Sequence, residues 1–469
     1  MPKRNIFILV AMVVGCMLAW MARDRAGHGR RFAEVMAAID RHALDRVDSA
    51  RLFSAAMNGV FSQFDEHSGF ISGTEQDQLE TLLDQEFGGV GMELAVAADG
   101  RRITVLSPIV DSPAWRAGIV AGDVIEEIDG AAVAGMTLDD VVARLRGLPG
   151  TTVAVRVASP AAPQLRTGTR DPAAEAMTAR VVALVRERVV VESVTGDRRR
   201  ADGSWDWWIE GEDGIALLRI STFGERTAEE IAEAVAEIEA RGVPRGVVLD
   251  LRGNAGGLLP AAVDVCDLFL DEGLIVSTRG GSGGGGERVA SAGHVLDGVP
   301  LVVLIDGLTA SAAEIVAACL QDSGRGIVVG SRSFGKGTVQ TLLTLSDGSG
   351  IVKLTTAEYL RPSAATIHRR REDDDRASWG VSPDVAFQVT PTGQQLEHMR
   401  AWRQARDIVP AADGRASRPP GGALPREIDI VLARGLEALA STPRPPSSRG
   451  LGGQEETPGD AHDPVASGK

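Results

Sequence analysis

The sequence predicts an α/β protein whose main domain is built on a mostly parallel sheet. Three observations carry that prediction. From Gly214 onward, apolar runs alternate with segments of helical period: IALLRI, AEEIAEAVAEIEARG, GVVLDL, then a helix beginning LPAAVDVCDLFL. That is the pattern of βαβ units. The order recurs as LVVLI, a helix over 311–321 and the strand GIVVG. The chain has 469 residues, 44% of them hydrophobic and 24% charged, enough for two or three domains with a sizeable core.

The elements follow in order. Lys3 and Arg4 precede an apolar run from Ile6 to Met21, closed by Arg23. The run is slightly short for a spanning helix of about 20 residues and long for a signal h-region of about 7–15. It reads as an uncleaved signal anchor over 1–27. Val13-Val14-Gly15-Cys16 resembles a lipoprotein cleavage box, but the apolar run continues past Cys16. Arg23, Arg25, Arg30 and Arg31 outnumber Lys3 and Arg4, and the positive-inside rule would hold that flank in the cytoplasm. The reading nevertheless places the bulk outside the cytoplasm. Residues 28–86 read as an N-terminal helical region, with Phe32, Val35, Met36 and Ile39 at helical spacing and Leu52, Ala55, Ala56 and Val60 repeating it.

Residues 87–160 change character. FGGVGMEL leads into the strand ITVLSPIV, then DSPAWRAGIVAGDVIEEIDG, the helix MTLDDVVARLRG and the strand TTVAVRV. The order of turn, short helix, Gly-Asp turn and strand closely resembles a PDZ domain. The resemblance implies that a loop of backbone N–H groups, here Gly89-Val90-Gly91, receives a peptide's C-terminal carboxylate. Glycines let the backbone approach an anion closely. Alone, GGVG would read as a plain turn.

Residues 161–213 read as a charged connector with Trp205, Trp207 and Trp208 near its end as packing residues. The run GGSGGGG over 280–286 reads as flexible. REIDIVLARGLEALA reads as a packing helix, and residues 441–469 as a disordered tail.

Composition excludes several functions. The formal net charge of −15 argues against a nucleic-acid partner, which needs clustered positive charge. Cys16, Cys266 and Cys319 are too few and scattered for a disulfide framework or metal cluster, and the seven histidines form no ligand-spaced pair. No metal or other cofactor is expected.

The chemistry gathers on one edge of the predicted sheet. In a βαβ unit, a helix start and the end of the next parallel strand share an edge, where open α/β sheets place ligands. TASAAEI begins such a helix, and Ser311 and Glu314 show the S-x-x-E spacing of a capping box. Taken alone, that spacing favours a cap worth about 1 kcal/mol. Two further loops reach the same edge: RGNAGGLLP (252–260), with adjacent Gly256 and Gly257, and SRSFGKGTVQ (331–340), with Lys336, 25 residues beyond Ser311. Acyl transfer requires these parts. A serine hydroxyl needs a base. A lysine serves as one only when neutral, and since free lysine titrates near about 10.4, burial must lower it. Phe334 and the Val/Leu-rich strands are the expected source of that burial. The N–H groups of Gly257 and Ala312 are the natural oxyanion donors. A rival reading is a phosphate loop, because GSRSFGK fits G-x-x-x-x-G-K, but Gly337 follows where Ser or Thr is needed.

The order RGNAGG, TASAAEI, FGKGTVQ and WGVSPD (379–384) resembles the carboxyl-terminal processing peptidases, over about residues 30–440. The resemblance implies a crotonase-like ββα peptidase core over 161–440 with the PDZ domain inserted before it. By position, Ser311 matches the nucleophile, Lys336 the general base, Gln340 the residue that orients that lysine, and Gly257 and Ala312 the oxyanion donors. FDEHSGFI (64–71) is similar to the family's LDPHS-type stretch, with Glu66 in place of the usual Pro, and Asp306 stands where Asn is usual. The implied protein is a membrane-anchored, periplasmic serine endopeptidase acting on substrates with free, apolar C-termini. A PDZ-bearing binding protein without activity is the alternative. The oligomeric state, a homo-oligomer included, is left open.

Overall fold

The computed structural model describes residues 12, 27–97, 99–160, 177–280, 285–293, 295–370, 378–410 and 426–442. The expected anchor (Met12 and Gly27 apart), the middle of the glycine run and the tail beyond 442 lie outside them. Among the described residues, no helix is long and apolar enough to cross a membrane. The chain divides into two compact units. One comprises Met1–Gln76 with Gln340–Thr355; the other comprises Asp77–Val339 with Thr356–Lys469. Residues 340–355 thus group with the N-terminal region and not with the core in which the sequence reading placed them.

In the first unit, helices Gly27–His42 and Ser49–Phe61 are followed by the strand Gly69–Ile71, which pairs antiparallel with Ile351–Lys353. Asp48 accepts the Ala50 N–H and caps the second helix. The Phe53 ring meets Phe32 and Phe70 edge-on, at centroid distances of 6.4 and 5.5 Å. The expected apolar stripe on the first helix is not buried: Phe32 and Val35 are exposed, and Met36 and Ile39 are half-buried.

In the second unit, the small antiparallel sheet runs in the order Met92–Val96, Ile103–Pro108, Val124–Ile128, Thr152–Pro160 and Met177–Val185. Ile103, Val105, Ile125, Val153, Val155 and Val157 form its core with Val141 and Leu145 of helix Leu138–Leu145. That helix starts on a two-way capping box between Thr137 and Asp140. The sheet extends past the expected boundary at 160, because Met177–Val185 pairs with the full length of Thr152–Pro160. Glu187–Val190 likewise pairs with Glu86–Gly89. The charged composition of 161–213 as a whole hid these strands. Trp205 and Trp207 in that stretch are buried, their indole N–H groups donating to Glu192 and Glu237 at 3.1 and 2.7 Å.

The second sheet orders its strands Val194–Thr195, Ile215–Ile220, Gly246–Asp250, Leu301–Ile305 and Gly326–Gly330, the last four parallel. Both faces are covered, as parallel sheets require. Leu218, Leu249 and Val303 pack beneath helices Thr227–Arg241, Leu259–Phe269 and Ala312–Asp322. Leu217, Val248 and Val302 face Val431, Leu432 and Leu436 of helix Ile430–Ser441. Cys266 and Cys319 lie buried among the former as free thiols. Burial and a hydrogen bond with Cys319 push the Cys266 thiol well up, so it is held as the unreactive form.

Buried charge ties the helix Gly393–Asp407 to this sheet. Asp197 takes the guanidinium groups of both Arg403 and Arg406, and Arg406 also reaches Glu210 at 3.1 Å. Removing the shared carboxylate leaves two cations buried without their main partner. Asp197→Ala is therefore expected to cost about 3–5 kcal/mol, read as a lower midpoint in urea unfolding of the full chain.

Candidate active site

Three loops leave the carboxyl edge of the parallel sheet together, since Asp250 stands opposite Leu304 and Ile305 opposite Gly330. Two side chains then clasp the loops. Asn254 is fully buried; its Nδ2 donates to the Ile220 carbonyl at 2.9 Å and its Oδ1 accepts the Gly256 N–H at 2.8 Å. The Asn254 carbonyl accepts the N–H of Ala310, the residue before Ser311, at 2.9 Å. Thr309 donates its hydroxyl to the Leu251 carbonyl, and its own carbonyl accepts the Phe334 N–H, both at 2.9 Å.

Ser311 opens helix Ala312–Asp322 with φ 56° and ψ −119°, a backbone that a residue with a Cβ adopts only under constraint. Ser311 and Glu314 form the capping box that their spacing predicts. The Ser311 N–H donates to Glu314 Oε2 at 2.8 Å, while the Glu314 N–H donates to the Ser311 carbonyl.

Glu314 reaches well beyond its own helix. Its side chain is fully buried, and its two oxygens accept four hydrogen bonds. Oε1 takes the Ser333 hydroxyl at 2.5 Å and the Gly335 N–H at 2.7 Å. Oε2 takes the N–H groups of Ser311 and Lys336, each at 2.8 Å. Burial pushes its carboxyl up, and the four donors offset only part of that, so it stays above the usual carboxylate range. One carboxylate oxygen thus fixes the backbone of both Ser311 and Lys336. WGVSPD supports this from behind: the Val381 N–H donates to the Ser333 hydroxyl oxygen at 2.7 Å, and the Ser333 N–H donates back to the Val381 carbonyl.

The glycine pair divides its work. Gly256, at φ +105°, lies against Ser311, and a Cβ there would stand 2.8 Å from Ser311 Cβ and 3.0 Å from the Ala312 nitrogen. Its N–H is spent on Asn254. Gly257 sits at φ +144° against the Phe223 backbone. Among the described residues, the N–H groups of Gly257 and Ala312 donate to no protein acceptor. Lys336 is half-buried, but Phe334 is 49% exposed and does not shield it, contrary to expectation. The aromatic covering falls instead at Gly335, where a Cβ would come 2.9 Å from the Trp379 ring. Asp306 serves its turn as an acceptor for the N–H groups of Gly253, Leu308 and Thr309, a role Asn could also fill. Gln340 belongs to the other unit, where its Nε2 donates to Thr355 Oγ1 at 2.8 Å.

The phosphate-loop reading fails on the same bonds. The N–H groups of Ser333, Phe334, Gly335 and Lys336 are all taken by protein acceptors, and a strand follows in place of a helix. Gly89 ends the strand Glu86–Gly89, which pairs only with Glu187–Val190, and Val90 and Gly91 follow with N–H groups that have no protein acceptor among the described residues. Gly91, at φ +76°, leaves no room for a Cβ beside Ser112.

Residues 214–387 match the model of peptidase family S41, and residues 104–159 match that of the PDZ domain. A carboxy-terminal-processing protease of Bartonella bacilliformis is 33% identical over 401 residues, 83% of either chain. The chain belongs to this family of serine peptidases. A chloroplastic C-terminal processing peptidase of Tetradesmus obliquus is 32% identical over 80% of this chain and 77% of its own. The solved photosystem II D1 C-terminal processing protease aligns over 80% of this chain and 91% of its own at 30% identity, with a TM-score of 0.39.

Within this S41 peptidase, sequence reasoning missed Asn254, Thr309 and Ser333. Their only signal is a place in the three loops, because what they hold is backbone. Glu314→Gln exchanges one acceptor oxygen for an amide that cannot accept, so two of the four donors lose their partner. It is expected to cost about 1–3 kcal/mol of stability and to lower peptidase turnover at least about tenfold. Thermal unfolding and peptide cleavage measured on the same preparation check both.

Proposed function

We propose that this S41 peptidase cleaves peptide bonds through Ser311 as nucleophile and Lys336 as general base, and that it selects substrates by their free C-termini. The observation that carries the reading is the shared carboxylate oxygen, Glu314 Oε2, which holds the backbone N–H groups of both residues. Ser311 Oγ attacks the scissile carbonyl while neutral Lys336 takes its proton. The oxyanion forms toward the N–H groups of Ala312 and Gly257, which have no acceptor among the described residues. Lys336 then protonates the departing amine. Water, deprotonated by the same lysine, hydrolyses the acyl-enzyme. Gln340 orients the lysine.

The unspent N–H groups of Val90 and Gly91 support capture of a C-terminal carboxylate by the PDZ domain. Substrates are proteins or peptides with free, apolar C-termini. The apolar run Ile6–Met21 anchors the protein to a membrane, with the peptidase on the periplasmic side.

Ser311→Ala and Lys336→Ala are each expected to abolish cleavage of casein while leaving the unfolding midpoint within about 1 kcal/mol of wild type. Cleavage by wild type should rise with pH as Lys336 loses its proton. Full activity of folded Lys336→Ala protein would rule the mechanism out and leave the inactive-scaffold alternative no stronger. Amidating the C-terminus of a peptide substrate should raise KM about ten- to a hundredfold with little change in kcat, checked by steady-state kinetics on the matched pair.

A further inference from the structure

The FDEHSGFI stretch forms a tight structure of its own. Asp65 Oδ1 accepts the N–H groups of His67 and Ser68 at 2.8 and 2.9 Å, and Oδ2 accepts the Ser68 hydroxyl at 2.9 Å. The following strand Gly69–Ile71 pairs with Ile351–Lys353, which brings the turn against Thr355. The Thr355 N–H donates to Ser68 Oγ at 3.1 Å, and the Thr355 hydroxyl donates to Asp65 Oδ1 at 2.9 Å. Gln340 Nε2 donates to that same hydroxyl oxygen at 2.8 Å. Burial raises the Asp65 carboxyl, but these donors outweigh it and leave it below its usual value.

The polarity of this chain is forced. An ionised carboxylate only accepts, so the single hydroxyl proton of Thr355 goes to Asp65. The Thr355 oxygen is then left only to accept, so Gln340 must present its NH₂ there. That places the amide oxygen at the opposite corner, as an acceptor. An amide has no orientation of its own; its surroundings decide it.

We propose that Asp65, acting through Thr355, is a positioning residue that fixes which way the Gln340 amide is turned. The inference rests on the reading of Gln340 as the group that orients Lys336. Without Asp65, the Thr355 hydroxyl can donate to Gln340, and the amide can turn over. The group read as orienting the lysine would then lose its fixed orientation, and turnover would suffer while substrate binding would not.

The test is a double-mutant cycle on the full chain with a peptide substrate. Asp65→Ala and Thr355→Val are each expected to lower kcat about tenfold, the worth of one hydrogen bond near its upper end, with KM unchanged. In a Gln340→Ala background, neither is expected to lower it further. Thr355→Ser, which keeps the hydroxyl, should recover the rate lost in Thr355→Val, with thermal unfolding compared throughout. Losses that add to that of Gln340→Ala would make the contacts merely structural and overturn the proposal. Wild-type kcat in Asp65→Ala and Thr355→Val beside an impaired Gln340→Ala would overturn it and leave the role of Gln340 standing. An unimpaired Gln340→Ala would bring down that role and the proposal together.

Discussion

A carboxylate in a protein core is costly unless donors surround it. Glu314 meets that condition with four, and three of them are backbone N–H groups from the two places where the chemistry is proposed. The helix start, the glycine-flanked loop and the WGVSPD turn all take their positions from the need to satisfy this one buried charge. A side chain chosen to hold backbone is well suited to a site of this kind. It fixes where Ser311 and Lys336 emerge from the chain without occupying the space in front of them.

The rest of the core makes that arrangement attainable. Parallel pairing brings Asp250, Ile305 and Gly330 to one edge. Asn254 and Thr309 join the loops to each other. The Arg252 guanidinium then bridges Asp250 to Asp429, both at 2.7 Å, tying the edge to the helix that covers the far face. Burial pushes the Asp429 carboxyl up, and the Arg252 charge more than offsets it, holding the acid below its usual range. The unusual backbone of Ser311 persists because its neighbours leave it no alternative.

Much of this was legible in the residues. The alternation after Gly214 and the order of loops made Ser311, Lys336 and the glycine pair neighbours before any coordinates did, because parallel topology permits few arrangements. The Ser311–Glu314 spacing was visible too, but its local meaning is a helix cap. The N–H groups of Gly335 and Lys336 that give Glu314 its wider role carry no sequence signature. Phe334 misled for a related reason: an aromatic beside a lysine suggests cover, and only the path of the loop shows that it turns outward. The strand Met177–Val185 was lost because composition was averaged over a segment that joins two sheets. Asp65 shows the reverse case, a recognised stretch whose contacts lie some 290 residues away in the sequence.

The pairing of Ser333 with Val381 bears on when the enzyme could come into being. A ribosome that has made the chain as far as Lys336 has supplied both side chains of the proposed Ser–Lys pair, yet not the backbone that braces Ser333 against Glu314. That brace arrives 45 residues later, and the partner of Arg252 at Asp429 later still. Assembly of the site is therefore delayed until the chain has been made through Asp429. A nascent or truncated chain would carry the reactive groups without the frame that aligns them, a useful delay for an enzyme whose natural substrates are other polypeptides.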